Sequence, residues 1–270
     1  MIATQLEKIG PAPRIAVEHA GKGELVIFMH GIGGNRRNWY DQIDAFAPHF
    51  HAAAWDARGY GDSDDYDGPL NFGSYADDLA RVLDKFRVER AHVVGLSMGG
   101  RIAMDFVTRY ASRLLTLTLC DTHKGFAGFS EEKKKAFIAS RKEPLLAGKE
   151  PKDIAEPVAR TLVGPNASEA AFRSLVDSMC RLHKDSYIKS IEASVMMDVR
   201  DDLYTIKVPT HVVVGSEDRL TTVEMARELA GDIPGAELTV IDDAGHLSNI
   251  EKPAEFNAAV LGFLHRHSSR

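Results

Sequence analysis

Ala91-His-Val-Val-Gly-Leu-Ser97-Met-Gly-Gly-Arg-Ile-Ala-Met104 decides how this chain folds. Residues 91–96 form an apolar, β-branched run of strand length, and helical spacing of apolar residues begins at Gly99. Between them stands Gly95-x-Ser97-x-Gly99. A strand that turns into a helix over so few residues leaves no room for a Cβ on either side of the serine, hence the two glycines. The helix that starts behind Ser97 offers free amides and the positive end of its dipole to developing negative charge. A Gly-x-Ser-x-Gly string alone can be an ordinary serine turn. In a strand-turn-helix setting it makes Ser97 a candidate nucleophile and the amide of Met98 a candidate oxyanion donor.

Outward from this turn, strand-like runs recur at residues 24–30, His51–Trp55, Leu114–Cys120, Thr210–Gly215 and Glu237–Ile241. Helical patterns at 39–47, 75–86, 99–110, 223–230 and 253–265 alternate with them. Strands reading as continuous apolar runs are buried on both faces, so the alternation predicts a mostly parallel, eight-stranded, doubly wound α/β sheet. Residues 3–9 and 14–19, split by Gly10-Pro-Ala-Pro13, read as an antiparallel pair at its start. From about 125 to 204 the alternation stops and the sequence is polar and helical, which predicts an inserted helical cap over 125–204 on a core of 1–124 and 205–270. The charged run Glu131 to Lys135 reads as a solvated helix face.

A serine hydroxyl needs a base, and 11 histidines compete for that role. His246, in Asp242-Asp-Ala-Gly-His246, directly follows a strand, at the sheet edge where open α/β folds bind ligands. His92, His123 and His183 are weaker candidates, beside a strand start or in or bordering the cap. For the acid that orients the histidine, Asp218 follows the strand Thr210–Gly215; Asp121 and Glu217 are rivals. His30-Gly-Ile-Gly-Gly34 follows the third strand and offers the amide of Ile32 as the second oxyanion donor. Arg36, Trp39 and His123 are the candidate substrate contacts, with Arg37, Arg141 and Arg200 as further cations for an anionic substrate. Asp56-Ala-Arg-Gly-Tyr-Gly-Asp-Ser63 reads as structural bracing beneath the site.

Composition narrows the function classes. A net charge of −6 and the lack of a basic stripe argue against nucleic acid as partner. Two cysteines, Cys120 and Cys180, build no disulfide framework or metal site, and no apolar run approaches a membrane span. No basic segment followed by an apolar run opens the chain, so the expectation is a cytoplasmic enzyme needing no metal or cofactor, of open oligomeric state.

Taken together, His30-Gly31, Asp56-x-Arg58-Gly59-x-Gly61-x-Ser63, Gly95-x-Ser97-Met98-Gly99-Gly100, Gly215-x-x-Asp218 and Gly245-His246 resemble the motif series of the α/β-hydrolase superfamily over residues 24–265. The resemblance implies a Ser97–His246–Asp218 triad. Leu119-Cys-Asp-Thr122, the stretch 198–203 and Ala244-Gly-His-Leu-Ser-Asn-Ile-Glu251 further resemble 3-oxoadipate enol-lactonases, which implies hydrolysis of a small ester or a carboxylated lactone. Haloalkane dehalogenases and epoxide hydrolases carry aspartate where Ser97 stands. C–C bond hydrolases usually carry Trp after the histidine, where this chain has Leu247. Competing readings are a cofactor-free haloperoxidase or perhydrolase, a C–C hydrolase, and a non-enzymatic ligand receptor of the same fold.

Overall fold

A computed structural model describes residues 2–126, 130–197 and 199–268; residue 198, at the head of the 198–203 stretch, lies outside the described residues. The strands are β1 (Gln5–Ile9), β2 (Ile15–Gly21), β3 (Leu25–Met29), β4 (His51–Trp55), β5 (Ala91–Leu96), β6 (Leu114–Cys120), β7 (Thr210–Gly215) and β8 (Glu237–Ile241). They form one sheet in the order β1-β2-β4-β3-β5-β6-β7-β8. The pairs β1–β2 and β2–β4 are antiparallel, and every pairing from β4 onward is parallel. β3, β5 and β7 are buried along their whole length, in keeping with their mostly apolar sequences.

The helices are α1 (Tyr40–Phe46), α2 (Phe72–Lys85), α3 (Met98–Tyr110), α4 (Glu131–Leu146), α5 (Pro151–Arg160), α6 (Glu169–Met179), α7 (Lys184–Met196), α8 (Val223–Asp232), α9 (Ser248–Glu251) and α10 (Pro253–His267). α2 starts a turn earlier than its apolar spacing predicts, because the Asn71 side chain accepts the Gly73 N–H and caps the helix. α2 packs on α3 and α1 on α10. Trp39, Trp55, Tyr60, Tyr75, Phe28 and Phe256 fill the layers between helices and sheet. Four helices, α4 to α7, occupy the stretch between β6 and β7, with no strand among its described residues. The run Glu131 to Lys135 starts α4 and lies almost wholly exposed. No described helix is long and apolar enough to cross a membrane.

Register brings the functional loops together. Met29 pairs with both Trp55 and Gly95, Leu96 with Cys120, Cys120 with Val213, and Gly215 with Ile241. The parallel strands therefore end side by side, and the loops after β3, β5, β6, β7 and β8 share one rim.

Candidate active site

Ser97 sits in the turn between β5 and α3 with φ +54°, a backbone state that few non-glycine residues adopt. The surroundings enforce it. A Cβ on Gly95 would meet the Gly99 carbonyl at 2.3 Å, and one on Gly99 would meet the Met29 carbonyl at 2.2 Å. The Ser97 N–H donates to the Cys120 carbonyl at 2.9 Å, and Thr122 Oγ1–H donates to the Ser97 carbonyl at 2.8 Å. The strain is thus held by β6 and the loop after it.

His246 Nε2 lies 3.0 Å from Ser97 Oγ, and His246 Nδ1 lies 2.8 Å from Asp218 Oδ2. Asp218 Oδ1 accepts the N–H groups of Leu220 (2.8 Å) and Thr221 (2.9 Å), and Oδ2 accepts the Thr221 hydroxyl. Burial works to raise the Asp218 pKa, but His246 and Thr221 outweigh it and hold the carboxyl below its ordinary range. For His246 burial opposes the charged form, yet Asp218 dominates, with Asp121 and Glu251 adding to it, and the imidazole pKa rises. Both residues are 4% exposed, so their pairing is little screened.

The rival acids stand elsewhere. Asp121 is fully buried; its Oδ1 accepts the Gly215 N–H at 2.9 Å, and its Oδ2 accepts the Ser248 N–H and hydroxyl at 3.1 and 2.6 Å. Burial and the nearby Asp218 charge push its pKa up to about 7. Glu217 is exposed. Of the other histidines, His92 bonds Thr116 at the opposite end of the sheet and His183 pairs with Asp65 on the surface.

The loop at 31–34 presses on the nucleophile: a Cβ on Gly31 would come within 2.9 Å of Ser97 Cβ. His30, 1% exposed, anchors this loop; its Nδ1–H donates to the Gly31 carbonyl at 2.8 Å and its Nε2 accepts the Ala57 N–H at 3.0 Å. Burial lowers its pKa, which keeps the ring neutral and able to accept. Ile32 and Met98 both face the cavity above Ser97, and no protein hydrogen bond is formed by either amide among the described residues.

That cavity has an empty volume of about 690 Å³, including the part open to solvent. Its walls are mostly apolar side chains of the stretch between β6 and β7, among them Phe137, Leu162, Met179 and Ile191; beside Ser97 and His246, its polar side chains include Arg101, Arg141, His123, Ser194 and Thr221. Arg101 was not singled out from the sequence, although its place four residues after Ser97 puts it one helical turn beyond the elbow. His123 Nδ1 accepts the Gly125 N–H at 2.9 Å; burial, then Arg101, lowers its pKa to about 3. A neutral ring with Nδ1 accepting carries its proton on Nε2.

One expected substrate contact requires correction. Arg36, 3% exposed, is turned away from the cavity and holds Glu18 (2.9 Å), Asp62 (2.6 Å) and Asp56 in ion pairs, while its backbone N–H donates to Asp56 Oδ1 at 2.8 Å. A guanidinium two residues past a glycine loop can reach substrate; here a carboxylate on β2 and two after β4, Asp56 of them fully buried, claim it first. Trp39 stacks on Phe28 (ring centroids 5.0 Å apart) and borders not the main cavity but the smaller pocket that Ser97 and His246 also line, where it keeps its place as a candidate contact. Arg200 pairs with Asp202 outside the cavity. Arg36→Ala is therefore expected to destabilise the protein by about 3–5 kcal/mol, because it strands the fully buried Asp56 carboxylate. Urea unfolding measures this, and the folded fraction should keep its KM for substrate.

A sheet of this strand order, with serine, histidine and aspartate in hydrogen-bond contact at its carboxyl rim, defines a hydrolase of the α/β type. The chain belongs to the α/β-hydrolase fold family, which matches residues 24–253. Among its relatives, 3-oxoadipate enol-lactonase 1 of Acinetobacter baylyi is 27% identical and covers 88% of each chain. A 2-hydroxy-6-oxononadienedioate/2-hydroxy-6-oxononatrienedioate hydrolase of Klebsiella pneumoniae is 30% identical over 95% of this chain and 93% of its own. A thermophilic esterase of Thermogutta terrifontis has a TM-score of 0.88 at 26% identity, covering 99% of this chain and 100% of that one.

Proposed function

We propose that the protein hydrolyses a small carboxylic ester or lactone whose acyl part bears a carboxylate, through an acyl-enzyme on Ser97. The contact series Ser97 Oγ–His246 Nε2 (3.0 Å) and His246 Nδ1–Asp218 Oδ2 (2.8 Å), beneath a mostly apolar cavity, carries this reading. In it, Ser97 Oγ attacks the substrate carbonyl as His246 Nε2 takes its proton. Asp218 keeps the other ring proton on Nδ1 and stabilises the imidazolium. The amides of Ile32 and Met98 receive the oxyanion, each contributing roughly 3 kcal/mol to the lowered barrier. Collapse breaks the bond to the leaving oxygen, which collects the proton from His246. In an enol-lactone the freed enol tautomerises to a ketone and cannot re-close the ring. Water then gives a proton to His246 and attacks the acyl carbon, and Ser97 leaves with that proton.

The carboxylate rests on charge. Among the described residues, Arg101 and Arg141 line the cavity and no Asp or Glu does. The Arg141 guanidinium lies 3.7 Å over the Phe137 ring, donates to the Phe137 carbonyl (3.4 Å) and Ser140 Oγ (3.0 Å), and forms no ion pair among the described residues. Burial lowers the pKa of both arginines, that of Arg101 to about 10, so both stay charged at neutral pH and gain from an anion. Arg141→Gln is expected to raise KM for a carboxylated p-nitrophenyl ester about 10- to 100-fold, the worth of one charge-assisted hydrogen bond, while a neutral ester of equal length is unaffected. Equal turnover of both esters by wild type, with no response to Arg141→Gln, would refute the carboxylate.

A second reading, C–C bond hydrolysis of a 2-hydroxy-6-oxo dienedioate, is favoured by the 30% identity to the Klebsiella pneumoniae hydrolase. Comparing kcat/KM on such a substrate with that on the carboxylated ester separates the two.

A further inference from the structure

Glu251, the last residue of α9, sends its carboxylate to the backbone that carries the base. Oε2 accepts the N–H of Gly164 at 2.9 Å and of Gly245 at 3.1 Å, and Oε1 accepts the N–H of Leu247 at 3.4 Å. Two more bonds join the same two segments. The His246 N–H donates to the Leu162 carbonyl at 2.8 Å, and Asn166 Nδ2 donates to Asp243 Oδ1 at 2.8 Å. The segment 162–166, between α5 and α6, is therefore tied to the loop 243–247 at several points. The backbones touch: a Cβ on Gly245 would stand 2.3 Å from the Gly164 nitrogen and 2.7 Å from the Leu162 carbonyl. Leu162 in turn lines both the main cavity and the smaller pocket, beside Ser97 and His246.

Burying a carboxylate is costly unless its lone pairs are satisfied, and here three N–H donors converge on it from both sides of the joint. Oε2 alone bridges the two sides, taking Gly164 from the wall and Gly245 from the loop of the base, and only a second acceptor atom can also take the Leu247 N–H. We propose that Glu251 is a positioning residue: its ionised carboxylate locks the wall segment 162–166 to the loop of His246, sets the imidazole over Ser97, and supplies negative charge that favours the imidazolium. The proposal rests on the reading of Ser97, His246 and Asp218 as the catalytic relay. A change at Glu251 should then be felt at the base and, through Leu162, at the acyl pocket.

Glu251→Gln tests this, because the amide has the same shape, loses the charge, and keeps only one acceptor atom. Expected for the folded variant is a fall in kcat of about 10- to 100-fold, the usual result of slightly misplacing a reacting group. KM should rise for long acyl chains more than for acetate. The titratable groups that face His246 are Asp218, Asp121, Glu251 and His123. With the other three unchanged, losing the Glu251 charge disfavours the imidazolium, so the acidic limb of kcat/KM moves to lower pH. Glu251→Asp keeps the charge but shortens the reach, so its limb should stay near wild type while kcat falls. Should Glu251→Gln fail to fold, Glu251→Asp decides by itself: wild-type kcat there overturns the proposal. A folded Glu251→Gln with an unmoved pH limb also overturns it, even if kcat falls, since that is a packing effect alone. If instead wild type neither hydrolyses esters nor labels at Ser97 with a fluorophosphonate, the underlying reading has failed, which is a separate result.

Discussion

Ser97→Ala is expected to abolish ester hydrolysis, with kcat falling by about 10⁴- to 10⁶-fold and only the residual assistance of oxyanion donors and binding remaining. Labelling by a fluorophosphonate should vanish with it. The fold should survive, because the features that hold the elbow are backbone features: the Ser97 N–H bonded to Cys120, the Thr122 hydroxyl on the Ser97 carbonyl, and the glycines that admit the close turn. Alanine at φ +54° carries the same Cβ as serine, so the strain is unchanged. Circular dichroism and thermal unfolding should match wild type. Substantial activity in the alanine variant would mean that the hydroxyl next to His246 is not the attacking group.

The second large effect separates two buried carboxylates. Asp218→Asn should cost about 10⁴-fold in kcat, because an amide facing Nδ1 can hold the wrong imidazole tautomer and gives the imidazolium no countercharge. Asp121→Asn should cost far less, within about tenfold, since Asp121 spends its oxygens on Gly215 and Ser248 rather than on the base. The pH profile gives a second readout. Only the neutral imidazole can take the Ser97 proton, so activity falls as pH drops through the His246 pKa. That pKa is raised by Asp218, which places the acidic limb above the ordinary histidine value of 6.5. Removing the Asp218 charge lowers the pKa and shifts the limb toward lower pH. Should the Asp121 variant alone lose activity, the acid would have been assigned to the wrong strand.

Several strong local signals made most of the architecture readable. Strand and helix periods alternate cleanly around residues 91–104, so the strand number and the helices that flank the sheet followed from pattern alone, whereas the separate helices α4 to α7 did not. Misjudged boundaries trace to side-chain capping, as at Asn71, and to the single-turn helix Ser248–Glu251, too short to show a period. The candidate site was legible where a residue stands within a few positions of a strand end, as Ser97, Asp218 and His246 do. It was not legible at Arg36, because nothing in the local string reveals that Glu18, Asp56 and Asp62 converge on it. Nor was it legible at Arg101 and Glu251, whose surroundings come from segments far apart in the chain.

Sequence by itself determined the order of elements, the strained serine turn and the residue types available at each strand end, because these depend on neighbours a few positions away. Only the tertiary structure decided which of Asp121, Glu217 and Asp218 meets the imidazole, which arginines line the cavity, and what ties the base to the wall above it. Those outcomes depend on strand register and on which charges become buried together. The sum over distant contacts sets them, and no local pattern encodes that sum.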